Sequence, residues 1–201
     1  MRTGVKPCVR AAAFVIAATL LLLSGCAAQE GGAYLTVNGE ETDDAVYIYY
    51  LKSAMYRVMA MYEAESSTGA FWEAELTGGE TPFDTAKRLA AERTAEEYII
   101  NGLFSELSLS WDDAMEEKYR ESYDAVTVNG RSYERFLKAS GLTDEAWRFI
   151  TKTAVKRAAL EKYYAGTGQS LSEELSRRTG GAAVKTNAAR LDALSPAELV
   201  G

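Results

Sequence analysis

The chain has 201 residues, of which 47% are hydrophobic and 25% are charged, a composition and length that suit one globular domain. It contains no histidine. This excludes Ser-His-Asp and Cys-His nucleophiles, zinc sites with histidine ligands and acid–base catalysis by histidine. The net charge of −7 disfavours a nucleic-acid partner, which would require a basic surface.

Residues 1–25 have the pattern of a signal peptide. Arg2, Lys6 and Arg10 precede 13 mostly apolar residues at positions 11–23, a run that is too short for an ordinary membrane span. We therefore expect this segment to be removed and to take no part in the fold.

The apolar run ends at Leu23-Ser24-Gly25-Cys26, which resembles the lipobox of bacterial lipoproteins. In such a lipobox the cysteine is lipidated and becomes the first residue of the mature chain, so the resemblance implies lipidation at Cys26. An ordinary secretory signal cleaved near Ala27 or Ala28 is an alternative, and an uncleaved anchor helix is another. Two or more acyl chains make a stable anchor, and we expect the protein at the cell membrane, on the extracytoplasmic side.

Removal of the signal peptide changes the rest of the chain in two ways. The loss of its three cations takes the net charge from −7 to −10, so lipid and not a basic surface would hold the protein at the membrane. Cys8 leaves with the signal, and a lipidated Cys26 leaves no thiol for a disulfide. We interpret residues 26–33 as a flexible tether and residues 34–201 as a single domain.

The mature chain is predicted to be mainly helical. Tyr34–Val37 reads as an extended segment that ends at the turn Asn38-Gly39, and Asp43–Ala64 reads as the first helix. A loop at 66–79 holds Phe71 and Trp72. Thr81-Pro82 then predicts a helix to about Leu107, and Ser110, with acidic residues in the first turn, opens a helix that ends near Asp124. Further helices are predicted over Tyr133–Ala139, from Thr143 to Tyr164 and from a capping box at Ser170 to Gly180. An extended segment at Ala183–Thr186 and a cap signal at Ser195-Pro196 follow. The fold class is therefore all-α, with five to six helices and one or two short extended segments that could pair.

The first predicted helix is apolar over more than half of its circumference. Tyr47, Leu51 and Met55 begin one stripe at helical spacing, but Tyr50 and Met59 extend beyond it. Such a helix is either buried at the centre of the bundle or presents an apolar surface to a partner. Methionine and tyrosine suit adaptable binding surfaces.

Charged pairs have structural interpretations. Asp112 and Asp113 lie at a helix start, where carboxylates stabilise the helix dipole, and no calcium or phosphate loop motif is present. A two-carboxylate glycosidase stays open as a remote alternative. Arg157 and Glu161 lie four residues apart inside the apolar arc of their helix, and either form a partly buried ion pair or reach past the edge of the core.

The order of elements resembles the SurA/PrsA family of extracytoplasmic foldases between Tyr34 and Tyr164. The resemblance is carried by five short motifs, namely Val37-Asn38-Gly39-Glu40, Ile99-Ile100-x-x-Leu103-Phe104, Leu107-Ser108-Leu109-Ser110-x-Asp112-Asp113, Tyr133-x-x-Phe136-Leu137 and Gly141-Leu142-Thr143-x-Glu145. In these foldases a parvulin isomerase domain of roughly 90 residues follows or interrupts the helices, whereas only 37 residues follow Tyr164 here. The resemblance thus implies a SurA N-terminal-like peptide-binding domain without isomerase chemistry.

This resemblance implies a lipoprotein that binds unfolded or partly folded exported polypeptides, with no cofactor, no metal and no enzymatic activity. The apolar residues of the first helix and the following loop are the expected contacts: Tyr47, Tyr50, Met55, Met59, Tyr62, Phe71 and Trp72. One alternative is a structural or assembly lipoprotein that docks one defined partner through the same apolar patch. A small-molecule-binding lipoprotein is a further alternative, although two-lobed solute receptors are much larger.

Overall fold

The computed structural model describes residues 31–63, 68–76, 78–128 and 130–200. The predicted signal peptide, Cys26 and most of the predicted tether lie outside these residues. Residues 32–201 form one compact unit. None of the helices in the described part of the chain is long and apolar enough to cross a membrane.

The two ends of this unit meet in a three-stranded antiparallel sheet of order β2-β1-β3. Strands β1 (Leu35–Val37) and β2 (Glu40–Glu41) form a hairpin across Asn38-Gly39, whose φ angles of 53° and 88° are those that an Asn-Gly hairpin turn requires. Strand β3 (Val184–Thr186) pairs with the other edge of β1, with Val184 opposite Val37. The two predicted extended segments therefore do pair, and β2 is a strand that the sequence analysis did not predict.

Helices α1 (Asp44–Met61) and α3 (Pro82–Glu106) pack against each other and form the centre of the domain. Asp43 caps α1 by accepting a hydrogen bond from the Ala45 amide at 2.7 Å. Thr81 and Asp84 form a reciprocal capping box at the start of α3. Both helices thus begin where the sequence predicts.

The predicted loop at 66–79 is wrong in one part, because Gly69–Glu73 forms the short helix α2. The cause is burial of Trp72, whose ring centroid lies 4.8 Å from that of Phe71 and 6.3 Å from that of Phe83. One helical turn places these two neighbouring rings against the start of α3.

Helices α4 (Asp113–Thr127), α5 (Gly130–Ser140) and α6 (Asp144–Gly166) follow. The Thr143 hydroxyl accepts from the Ala146 amide at 3.0 Å and caps α6 as predicted. The Asp112 carboxylate accepts from the Met115 amide at 2.8 Å and caps α4, two residues after the predicted start at Ser110. Helix α6 packs against both α3 and α4. Helix α5 begins at Gly130, three residues earlier than the predicted Tyr133.

The C-terminal part contains α7 (Leu171–Gly181), α8 (Ala188–Asp192) and α9 (Pro196–Val200). The capping box predicted at Ser170 is not formed, because its side chain makes no cap hydrogen bond. Helix α7 continues through both Gly180 and Gly181 and packs on α3 and α6, where its Leu171 and Leu175 are buried.

The described residues are mainly helical, as predicted, but contain nine helices and three strands. Six of the helices have 11 or more residues and occupy the six predicted spans. The three additional helices have five residues each. Single turns of this length carry almost no periodic hydrophobic signal, which is why the expected five to six helices was too few.

Candidate functional site

Four of the seven predicted polypeptide contacts are core residues. Tyr47, Tyr50, Met55 and Trp72 are all at least nine-tenths buried, because α1 is enclosed by its neighbours along most of its length. The Tyr47 hydroxyl donates to the Lys87 carbonyl at 3.4 Å inside the domain. These four residues are therefore corrected to core positions, since they offer no surface to a partner in this structure.

The remaining three predicted contacts lie near the C-terminal end of α1. Met59 and Phe71 are half-buried against the core, and Tyr62 is 43% exposed with its ring centroid 6.4 Å from that of Phe71. A cavity that Met59 lines has a volume of about 10 Å³, less than one side chain. A polypeptide role for these three residues stays a prediction.

A larger concave surface lies elsewhere, between α3, α6, α7 and β3, with Arg57 of α1 at its margin. It is an open groove of about 1190 Å³. Its apolar lining comes from facing positions on these elements, chiefly Leu89, Ala91, Ala95, Leu171, Leu175 and Val184. This volume exceeds the range of about 300–1,000 Å³ for small-molecule sites, and an open groove suits an extended ligand.

Two pairs of small side chains lie along the helices that form this groove. Ala91 and Ala95 lie one helical turn apart on α3, and Ser172 and Ser176 do the same on α7. Ala91 and Ala95 are 9% and 0% exposed and belong to the core beneath the groove, whereas Ser172 and Ser176 are exposed on its α7 wall.

A cluster of charged side chains underlies one side of the groove. Arg93 lies 2.7 Å from a carboxylate oxygen of Glu96 and 2.7 Å from one of Glu97, and Arg157 on α6 lies 2.9 Å from the other oxygen of Glu96. The guanidinium of Arg93 also lies over the Tyr50 ring, 5.4 Å from its centroid. The cluster joins α1, α3 and α6.

Glu97 is the most buried member of this cluster, with 2% of its side chain exposed. Burial raises the pKa of this carboxyl, and the Arg93 charge and a hydrogen bond with the Tyr50 hydroxyl oppose the rise. Burial and the Glu97 charge in turn raise the pKa of Tyr50 far above its usual value. Arg157 pairs with Glu96 on a neighbouring helix, so the predicted ion pair with Glu161 is not formed.

Strand β3 borders the groove with a free edge. The Asn38 amide donates to the Ala183 carbonyl and the Asn187 amide donates to the Tyr34 carbonyl, both at 3.0 Å. Because the backbone groups of an antiparallel strand alternate in direction, Thr186 directs its amide and carbonyl away from β1. No described strand pairs with this edge, and Val184 at its start lines the groove.

A second polar cluster joins α4, α5 and α6 and has a structural explanation. Tyr123 and Tyr133 both donate to one oxygen of Asp144, and Arg148 lies 2.6 Å from the other. Hydrogen bonds from the two tyrosines and from Arg148 lower the pKa of Asp144 to about 2. Since both carboxylate oxygens are occupied, the cluster fixes the start of α6.

None of the seven predicted contacts lines the groove, because the sequence analysis favoured large apolar residues over small ones. The four-residue spacing of Ala91 with Ala95, and of Ser172 with Ser176, was visible in the sequence. It marks a smooth face on each helix. The pairing of α7 with α3, which makes these faces meet, joins segments about 80 residues apart in the chain and leaves no local signal.

Comparisons with models of protein families, with curated proteins and with solved structures found no match to this chain. Among the described residues, no three histidine, cysteine or acidic side chains are grouped as a metal site would require.

Proposed function

We propose that the protein is an extracytoplasmic lipoprotein, anchored through Cys26, that holds unfolded or partly folded exported polypeptides without covalent chemistry. The observation that carries this proposal is the open groove of about 1190 Å³, whose lining includes Val184 at the start of β3. The N-terminal lipobox pattern and the resemblance of Tyr34–Tyr164 to the SurA/PrsA family also support this proposal.

The groove and the strand edge offer an extended chain two kinds of contact. The apolar floor stabilises apolar side chains by about 25 cal/mol for each Å² removed from water. The edge of β3 offers the Thr186 amide and carbonyl for main-chain hydrogen bonds, as in other cases of strand addition. Main-chain contacts are independent of sequence, and this property suits a protein that holds many different polypeptides.

The proposed groove lies apart from the seven contacts that were predicted from the sequence. A substitution in the groove therefore tests the proposal. A tryptophan that replaces Ser176 would project from α7 into the groove, where an extended chain would lie. A tryptophan at Ser122, an exposed position on α4 outside the groove, is the matched control. Both variants add the same side chain to the surface of a helix.

The experiment measures aggregation of several unrelated denatured proteins by light scattering, with residues 27–201 added. We expect the unaltered protein and the Ser122→Trp variant to suppress aggregation, and the Ser176→Trp variant to have lost most of this effect. Failure of the unaltered protein to protect any of them would contradict the proposal. A prolyl-isomerisation assay on the same samples is expected to show no activity.

The alternative of one defined docking partner is favoured by a different surface. Tyr56, Met61 and Tyr62 are 67%, 58% and 43% exposed near the end of α1, an unusual exposure for large apolar side chains. Retention of a single protein in a pulldown would support docking over polypeptide holding under two conditions. Its binding should survive Ser176→Trp, and it should be lost in the double variant Tyr56→Ser with Met61→Ser.

A further inference from the structure

Arginines line the groove more densely than carboxylates do, although the chain as a whole is acidic. The net charge of the full sequence is −7. The charged side chains that line the groove are Arg57, Arg88, Arg93 and Arg157, against Glu92, Glu96 and Glu161. The charged lining of the groove is thus close to balanced, whereas the chain as a whole is acidic.

Three of these four arginines are already neutralised. The two that lie under the groove pair with the carboxylates of α3 described above. Arg88 lies 3.2 Å from a carboxylate oxygen of Glu80 and 3.2 Å from one of Glu92. Their charges are therefore compensated before any ligand arrives.

Arg57 differs from the other three. Its side chain is exposed on α1, and no described carboxylate lies within ion-pair distance of it. It also lies outside the last turn of α1, where a cation would stabilise the helix dipole. Within the described residues, neither an ion pair nor the helix dipole accounts for the charge of Arg57 at this position.

Glu161 on α6 is the lining carboxylate with no described cationic partner. A ligand carboxylate near Glu161 would be repelled, whereas one near Arg57 would be attracted. The groove therefore favours a carboxylate beside Arg57 and disfavours one beside Glu161.

We infer that the groove selects extended polypeptide segments that carry an acidic side chain, which forms an ion pair with Arg57. This inference rests on the proposed function and adds a chemical class of client to it. It also places the acidic residue of the segment beside Arg57, the residue that α1 contributes to the groove.

The expected preference is small, because an exposed ion pair is partly screened by water. Pairs of this kind change affinity by about two- to five-fold at low ionic strength. Salt near 1 M, where the Debye length falls to about 3 Å, should abolish the preference and leave the apolar contribution.

The experiment measures the binding of three fluorescent peptides to residues 27–201 by anisotropy. The peptides are extended, identical in their apolar residues, and have Glu, Gln or Lys at one central position. They are compared on the unaltered protein, on Arg57→Glu and on Arg135→Glu. Arg135 is the matched control, because it is exposed on α5, has no described carboxylate partner and lies outside the groove.

We expect the Glu peptide to bind about two- to five-fold more tightly than the Gln peptide, and the Lys peptide to bind more weakly than both. Arg57→Glu should reverse this order, and Arg135→Glu should preserve it. Equal binding of the three peptides, or a preference unchanged in Arg57→Glu, would overturn this inference and leave the proposed function standing. No binding of any peptide would overturn both.

Discussion

Truncation of Leu175 tests whether α7 forms a wall of the groove. Leu175 is 5% exposed and packs in the interface of α7 with α3, while part of its surface lines the groove. Leu→Ala changes in protein cores cost about 2–5 kcal/mol of unfolding free energy, and the cost rises with the volume of the cavity left behind. Because the vacated space at Leu175 opens into the groove and can fill with water, we expect the lower part of this range, about 2–3 kcal/mol.

The change in unfolding free energy is measured by urea denaturation followed by circular dichroism. For a domain of this size a loss of 2–3 kcal/mol also lowers Tm by roughly 4–12 °C. Ser176→Ala, at the next and exposed position of the same helix, is the control and should change the free energy by less than about 0.5 kcal/mol. A loss below about 0.5 kcal/mol for Leu175→Ala would refute the reasoning, because α7 would then not be held against α3.

Three further predictions concern single ionisable groups and the anchor. The raised pKa of Glu97 means that the folded state binds the proton of this carboxyl more tightly than the unfolded chain does. The free energy of unfolding relative to Glu97→Gln should therefore fall as the pH rises from 4 to 7. An increase of this relative stability over the same pH range would contradict the burial argument. The lowered pKa of Asp144 has the opposite sign, so the stability that Asp144→Asn loses at pH 7 should shrink as the pH falls from 4 to 2, measured by urea titration at each pH. Because the Asp144 side chain is 43% exposed and water screens its contacts, this loss should be no more than about 1 kcal/mol. An alkyne analogue of palmitate, fed to cells that produce the protein, should label the unaltered protein and the Cys8→Ser variant but not the Cys26→Ser variant. Label that is retained in Cys26→Ser would contradict lipidation at Cys26.

The helix boundaries were predictable where a side-chain cap coincides with a change of hydrophobic pattern. Thr81-Pro82, Asp112 and Thr143 each combine an oxygen that accepts a backbone amide with a following helical periodicity, and the structure uses each of them. Ser170 has the same sequence pattern without the hydrogen bond, because α7 is held by burial of Leu171 and Leu175 instead. Cap patterns therefore locate helix starts more reliably than they identify what stabilises them.

The position of the groove was not predictable from the sequence. Periodicity showed that α1 is apolar over most of its surface, but it could not show that α3 and its neighbours cover Tyr50 and Trp72. That outcome depends on contacts between segments distant in sequence, which a local pattern does not encode. The groove arises in the same way, from the packing of α7 on α3 and the pairing of β3 with β1.

Site-specific crosslinking tests the central claim most directly, because the only two cysteines of the chain are Cys8 and Cys26 and neither belongs to residues 27–201. A single cysteine is introduced at Ser176 in the groove or at Ser122 on α4, and is labelled with a photoactivatable maleimide. After illumination with unrelated unfolded proteins, the account predicts crosslinks to several of them from position 176 and few from position 122. Equal crosslinking from both positions, or none from position 176, would contradict a groove that holds extended polypeptides.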